Sequence, residues 1–116
     1  MNPKTYKHFY ITPKLKNSID EIAFLTGVKH SEIMTKAALY FLEKGEQVNQ
    51  QFLIKDKEDE NFIPRSEMWQ VWVENWIIDI AKKVSEENGN CGYSVILFQM
   101  LYDYIEVIRK LLQLDE

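Results

Sequence analysis

From Tyr6 to Thr12 the side chains alternate, with Phe9 and Ile11 on one face and His8, Tyr10 and Thr12 on the other. That period of two predicts a short strand with one buried face. Pro13, which has no N–H to give to a ladder, stops it. The period then changes. Leu15, Ile19, Ile22 and Thr26 recur at spacings of 4, 3 and 4 with charged residues between them, predicting an amphipathic helix from Lys14 to Thr26 closed by Gly27. A second helix, from about Lys29 to Lys44, carries Ile33, Met34, Ala37, Ala38, Phe41 and Leu42 on a wide apolar stripe and stops at Gly45.

The same order is then written again, and this repetition is the most informative feature of the chain. Met68 to Val73 alternates, with Trp69, Val71 and Val73 on one face and Met68, Gln70 and Trp72 on the other. Asn75 is the expected N-cap of a helix whose apolar positions are Ile77, Ile80, Ala81 and Val84 and which ends at Gly89. A last helix is expected from Tyr93 or Ser94 to about Leu114. Residues 47–66 are a charged connector in which Phe52, Leu53 and Ile54 suit either docking on the core or a short extra strand.

Each copy has one strand, and a lone strand leaves both rows of its backbone N–H and C=O groups unpaired. Its simplest partner is the strand of the other copy. The expected fold is therefore mainly α with one two-stranded antiparallel β-ribbon, residues 1–46 and 67–116 sharing a core as an intramolecular pseudo-dimer. A unit of about 45 residues is marginal alone, so the pairing supplies the core that each copy lacks.

Composition narrows the chemistry. The chain has 116 residues, 46% of them hydrophobic, with four Gly and three Pro, which fits one folded unit. Cys91 is the only cysteine and there are two histidines, too few for an internal disulfide or a zinc cluster, so neither a metal nor a cofactor is expected. Cys91 has no nearby His to activate it, and carboxylate neighbours such as Asp20/Glu21 and Glu86/Glu87 do not face each other across a site. An enzyme is not expected. Apolar runs are short, and the opening MNPKTYKHFY lacks the apolar stretch of a secretion signal, so a cytoplasmic protein without a membrane partner is expected.

A formal charge of −4 counts against a nucleic-acid partner when taken whole, but its distribution reverses that. Residues 1–46 hold seven Lys against five acids, residues 47–61 two against four, and residues 62–116 five basic against nine acidic side chains. Lys4, Lys7, Lys14 and Lys16 stand in the first seventeen residues with no acid among them. A negatively charged ligand is expected at this end.

Strand, helix, Gly-containing turn and helix within about 40 residues resembles the ribbon-helix-helix family of prokaryotic DNA-binding proteins, the Arc/MetJ type, whose strands read DNA. In copy one the resemblance is most specific in the turn Thr26-Gly27-Val28-Lys29-His30-Ser31-Glu32-Ile33. In copy two it lies in Asp79-Ile80-Ala81-Lys82-Lys83-Val84-Ser85-Glu86-Glu87-Asn88-Gly89. Copy two departs from the pattern in carrying Val95 where copy one has Glu32. The resemblance implies that the outward ribbon face enters the major groove and meets base edges through His8, Tyr10 and Thr12 of copy one and Met68, Gln70 and Trp72 of copy two. It also implies that the start of each copy's second helix holds a DNA phosphate, at Lys29, His30 and Ser31 and at Gly92, Tyr93 and Ser94. Lys7 and Lys14 flank the His8/Tyr10/Thr12 stripe as further phosphate candidates.

The expected function is sequence-specific binding of double-stranded DNA by a transcriptional repressor or regulator of bacterial, plasmid or phage origin. The alternative is a protein-interaction module, antitoxin-like or an inhibitor of a host protein, that keeps the scaffold and has lost the groove contacts. Trp69 is expected in the core, Trp76 between core and surface, and Trp72 on a base or an interface. Leu97, Leu101, Tyr104, Ile108 and Leu111 extend the last apolar stripe beyond the usual family length, so it needs a cover, either the connector or another subunit or protein partner.

Overall fold

The computed structural model describes residues 2–114. Strand β1 (Lys4–Ile11) gives way to helix α1 (Pro13–Thr26) at Thr12, whose side-chain oxygen accepts the Leu15 N–H at 3.1 Å. Pro13 opens the helix where no intrahelical N–H is needed. Gly27, at φ 72°, takes the left-handed conformation that ends α1, and its N–H donates to the Ala23 carbonyl at 2.9 Å. Helix α2 (His30–Glu43) follows, with Lys29 at its cap position and no side-chain cap bond.

The second half repeats the order as β2 (Glu67–Glu74), α3 (Asn75–Glu87) and α4 (Tyr93–Leu111). Two expected boundaries move. Asn75 is the first residue of α3 and Glu74 stands at the cap, because the Asn75 side chain is drawn across the ribbon to accept the Thr5 hydroxyl at 2.6 Å. Helix α4 ends at Leu111, short of Leu114, where the Arg109 guanidinium folds back to donate to the Leu114 carbonyl at 2.7 Å.

The two strands form one antiparallel sheet, from Lys4 opposite Glu74 to Ile11 opposite Glu67. The molecule is thus mainly helical with a two-stranded ribbon. Phe9, Ile11, Trp69, Val71 and Val73 point inward and are buried. They join Ile33, Met34 and Phe41 of α2 and Leu97, Phe98 and Leu101 of α4 in one apolar core to which both halves contribute. Helix α4 is its axis, packing on α2 and on α3.

The connector docks; it adds no strand. Its one helical turn, Gln50–Leu53, buries Phe52 against the rings of Tyr102 and Phe98 at 5.0 and 5.3 Å. Buried Gln99 ties it down, accepting the Asn49 N–H at 2.9 Å and donating to the Gln47 carbonyl at 2.7 Å. Among the described residues, no helix is long and apolar enough to cross a membrane.

Candidate functional site

Because successive strand residues point to opposite faces, burying Phe9, Trp69, Val71 and Val73 forces their neighbours outward. Tyr6, His8 and Tyr10 of β1 and Met68, Gln70 and Trp72 of β2 make one exposed face. Counted back from the cap residues Thr12 and Glu74, Tyr10 and Trp72 stand two residues ahead, His8 and Gln70 four, and Tyr6 and Met68 six. His8 and Gln70 lie directly opposite each other.

Five of the six face residues expected from the sequence are therefore brought together, and Thr12 is not among them. It lies beyond the strand, half-buried, with its hydroxyl oxygen engaged as a helix cap. Tyr6 occupies the sixth position. The signal that identifies it is the count back from the helix start, which the alternation alone does not supply.

The outer face is ordered by its own contacts. The Tyr6 ring stands 5.1 Å from the Trp72 ring, tilted by 55°. The Tyr6 hydroxyl donates to Gln70 Oε1 at 3.0 Å, and Gln70 Nε2 approaches the Met68 sulfur at 3.8 Å. Tyr10, at 53% exposure, stands on the same face.

Two helix starts flank the ribbon. Helix α2 lies on the β2 side, where the His30 ring is 5.7 Å from that of buried Trp69, while His30 Nε2 is 3.2 Å from Asp20 Oδ1. Lys29 is exposed beside it. Ser31 lines a hollow with Lys4, Glu32, Thr35, Lys36 and Glu74. Glu74 anchors this flank by accepting from Asn2 at 2.6 Å, from Thr35 at 2.8 Å and from Trp76 at 3.1 Å. These hydrogen bonds, that of Asn2 foremost, hold its carboxyl below the usual glutamate range.

Helix α4 lies on the β1 side. Lys7 Nζ is 5.0 Å from the centre of the Tyr93 ring and Lys82 Nζ 5.5 Å from it, so one aromatic ring carries two ammonium groups. Arg65, from the connector, sits 5.4 Å from the Phe98 ring and lines a hollow with His8, Tyr10 and Ser94. Burial lowers its pKa below the usual arginine value, but a guanidinium remains protonated at any physiological pH. Asp79 shares a hollow with Lys7 and Lys82, yet among the described residues none of Lys7, Arg65 and Lys82 makes an ion pair.

The Tyr93 and Ser94 N–H groups, at the open end of α4, have no hydrogen-bond partner among the described residues, whereas the Gly92 N–H donates to buried Ser85 Oγ at 2.9 Å. Gly92 is thus part of the turn, which its φ of 101° reserves for glycine. Lys14 is placed apart from both flanks, in a hollow with Asn17, Ser18, Glu21, Arg109 and Leu114. Sequence reasoning missed Lys82 and Arg65. Lys82 sits on the polar face of an ordinary amphipathic helix, and Arg65 reaches the ribbon only through the path of a long connector.

Among the described residues, no three His, Cys, Asp or Glu side chains gather as a metal site would require. Compared with protein-family models, with curated proteins and with solved structures, the chain matches none.

Proposed function

We propose that the chain is a sequence-specific double-stranded DNA-binding protein, a prokaryotic transcriptional regulator built as two ribbon-helix-helix copies in one polypeptide. The observation that carries this reading is the register of the ribbon. His8 and Gln70 face each other and lie at the same distance from the helix that follows each strand. Equal spacing from strand to helix in the two halves supports a pseudo-dimer in which one two-fold relation would exchange the copies. A duplex major groove is wide enough for two strands, and a two-fold reader matches a pseudo-palindromic site.

The face supplies the chemistry of readout. Gln70 suits adenine, His8 has a donor for a guanine acceptor, and Tyr6, Tyr10, Met68 and Trp72 offer apolar contact to thymine methyls. The flanking groups suit backbone phosphates, which fix register and supply affinity: Lys7, Lys82, Arg65 and the N–H groups of Tyr93 and Ser94 on one side, Lys29 and Ser31 on the other. Titration of mixed-sequence duplex DNA at two salt concentrations tests this. Binding that weakens steeply with salt is expected, and absence of binding at low salt overturns it.

A second reading, a protein-interaction module on the same scaffold, is favoured by one observation. Four of the six outward ribbon side chains are large and at least 44% exposed: Tyr6, Tyr10, Met68 and Trp72. Leu111 and Leu112, exposed at the end of α4, offer a further surface for a second subunit or a protein partner. The same titration separates the two, since an apolar interface with protein gives no salt-dependent duplex binding.

A further inference from the structure

The outer ribbon face holds a hydrogen-bonded pair that the base-reading role of Gln70 does not by itself require. The Tyr6 hydroxyl, on the opposite strand, donates to Gln70 Oε1 at 3.0 Å, and the amide nitrogen of the same side chain turns toward the Met68 sulfur at 3.8 Å. Only the second contact has one sense: reversing the carboxamide would set its oxygen against the lone pairs of a thioether that can only accept, whereas the Tyr6 hydroxyl could then accept from the NH2. Met68 therefore sets the sense of the carboxamide, and Tyr6 ties the side chain down in it. Tyr6 is itself held by the Trp72 ring, 5.1 Å away.

We propose that Tyr6 is a positioning residue that, together with Met68, anchors the Gln70 carboxamide with one edge facing outward, and so makes Gln70 selective for adenine. The inference rests on the DNA-binding reading above. A carboxamide has two oxygen lone pairs and two N–H groups. Tyr6 and Met68 each use one, leaving an acceptor and a donor side by side. Adenine presents the complementary pair, the N6 donor and the N7 acceptor, in the major groove, whereas guanine presents two acceptors. An unanchored surface glutamine offers its edge in either sense and loses rotamer freedom on binding. Gln70 sits opposite His8, near the middle of the paired segment, so the adenine belongs near the centre of the site.

The test selects duplexes from a pool with a randomised core, using the intact chain and its Tyr6→Phe, Gln70→Ala and doubly substituted variants. Tyr6→Phe removes only a hydroxyl from a residue that is 47% exposed, and its thermal melting is expected to match that of the parent protein. The parent is expected to select an adenine at one position. Tyr6→Phe and Gln70→Ala should each lose about tenfold preference at that same base pair, and the double variant should lose no more than Gln70→Ala alone. The salt dependence of binding should be unchanged in Tyr6→Phe, because no phosphate contact is touched.

Replacing the selected adenine with 7-deazaadenine should weaken the parent more than Tyr6→Phe. Parent-like preference in Tyr6→Phe, or a loss at a different base pair from that of Gln70→Ala, overturns the positioning role while DNA binding stands. A parent chain that selects no sequence and binds no duplex overturns both.

Discussion

The two flanks of the ribbon are built from the same succession of strand and helix and are held differently. On the α2 flank, His30 is paired with Asp20 and packed by Trp69, while Glu74 gathers Asn2, Thr35 and Trp76, so polar groups satisfy one another. On the α4 flank, Lys7 and Lys82 share the Tyr93 ring and Arg65 lies over Phe98, with no ion pair to any of the three among the described residues. Charge along the chain points the other way, since residues 1–46 carry the excess of lysine and residues 62–116 the excess of acid. Antiparallel pairing exchanges neighbours: β1 delivers Lys7 to the α4 side, and the connector delivers Arg65. Linear charge is not surface charge, and an anion sees the surface.

Breaking the comparison at its packed side has the largest expected effect. Trp69 is 3% exposed and joins Phe9 of the ribbon to His30 of α2. Trp69→Ala should destabilise by about 3 to 5 kcal/mol, read as a lower midpoint in denaturant, whereas Tyr93→Ala on the half-exposed flank should cost about 1 to 2 kcal/mol. Equal losses would show the two flanks to be equally load-carrying.

Next come the cations. Lys7→Ala with Lys82→Ala should lower duplex affinity more than Lys29→Ala with Lys36→Ala. It should reduce the slope of log affinity against log salt by about 2, against about 1 or less for the second pair. The reverse order would return the dominant phosphate contact to α2.

The smallest effect is expected at Glu74. Its folded pKa lies below the ordinary glutamate value, through the Asn2, Thr35 and Trp76 hydrogen bonds. The stabilisation is therefore present above the unfolded glutamate pKa of about 4.3 and is lost as pH falls through the lower folded value. Glu74→Gln should flatten that acid limb in thermal melts and leave the neutral-pH salt dependence of DNA binding unchanged.

Particular residues show how far the sequence could be read. Phe9, Ile11, Trp69, Val71 and Val73 were legible because a period of two with one apolar face has one solution, and all five are buried. The ends of α1 were legible from Pro13 and Gly27, whose backbone constraints act locally. Thr12 was misassigned because alternation says which face a residue shares, and only the cap bond to Leu15 shows that the strand has already ended. Met68, Gln70 and Trp72 were legible as a set, but the Tyr6 hydrogen bond to Gln70 joins residues 64 apart in sequence and depends on register. Trp76 was open between core and surface, and it is half-buried with its Nε1–H on Glu74.

Local periodicity and backbone chemistry determined the elements themselves, because strand alternation, helical stripes, Pro13 and Gly27 act over a few residues and leave a signature there. Which strand lies beside which helix start, where Arg65 comes to rest, and which cations stay uncompensated were decided only by the tertiary structure. Those depend on antiparallel register and on the connector's path across Phe98, and contacts between distant residues leave no mark in local sequence.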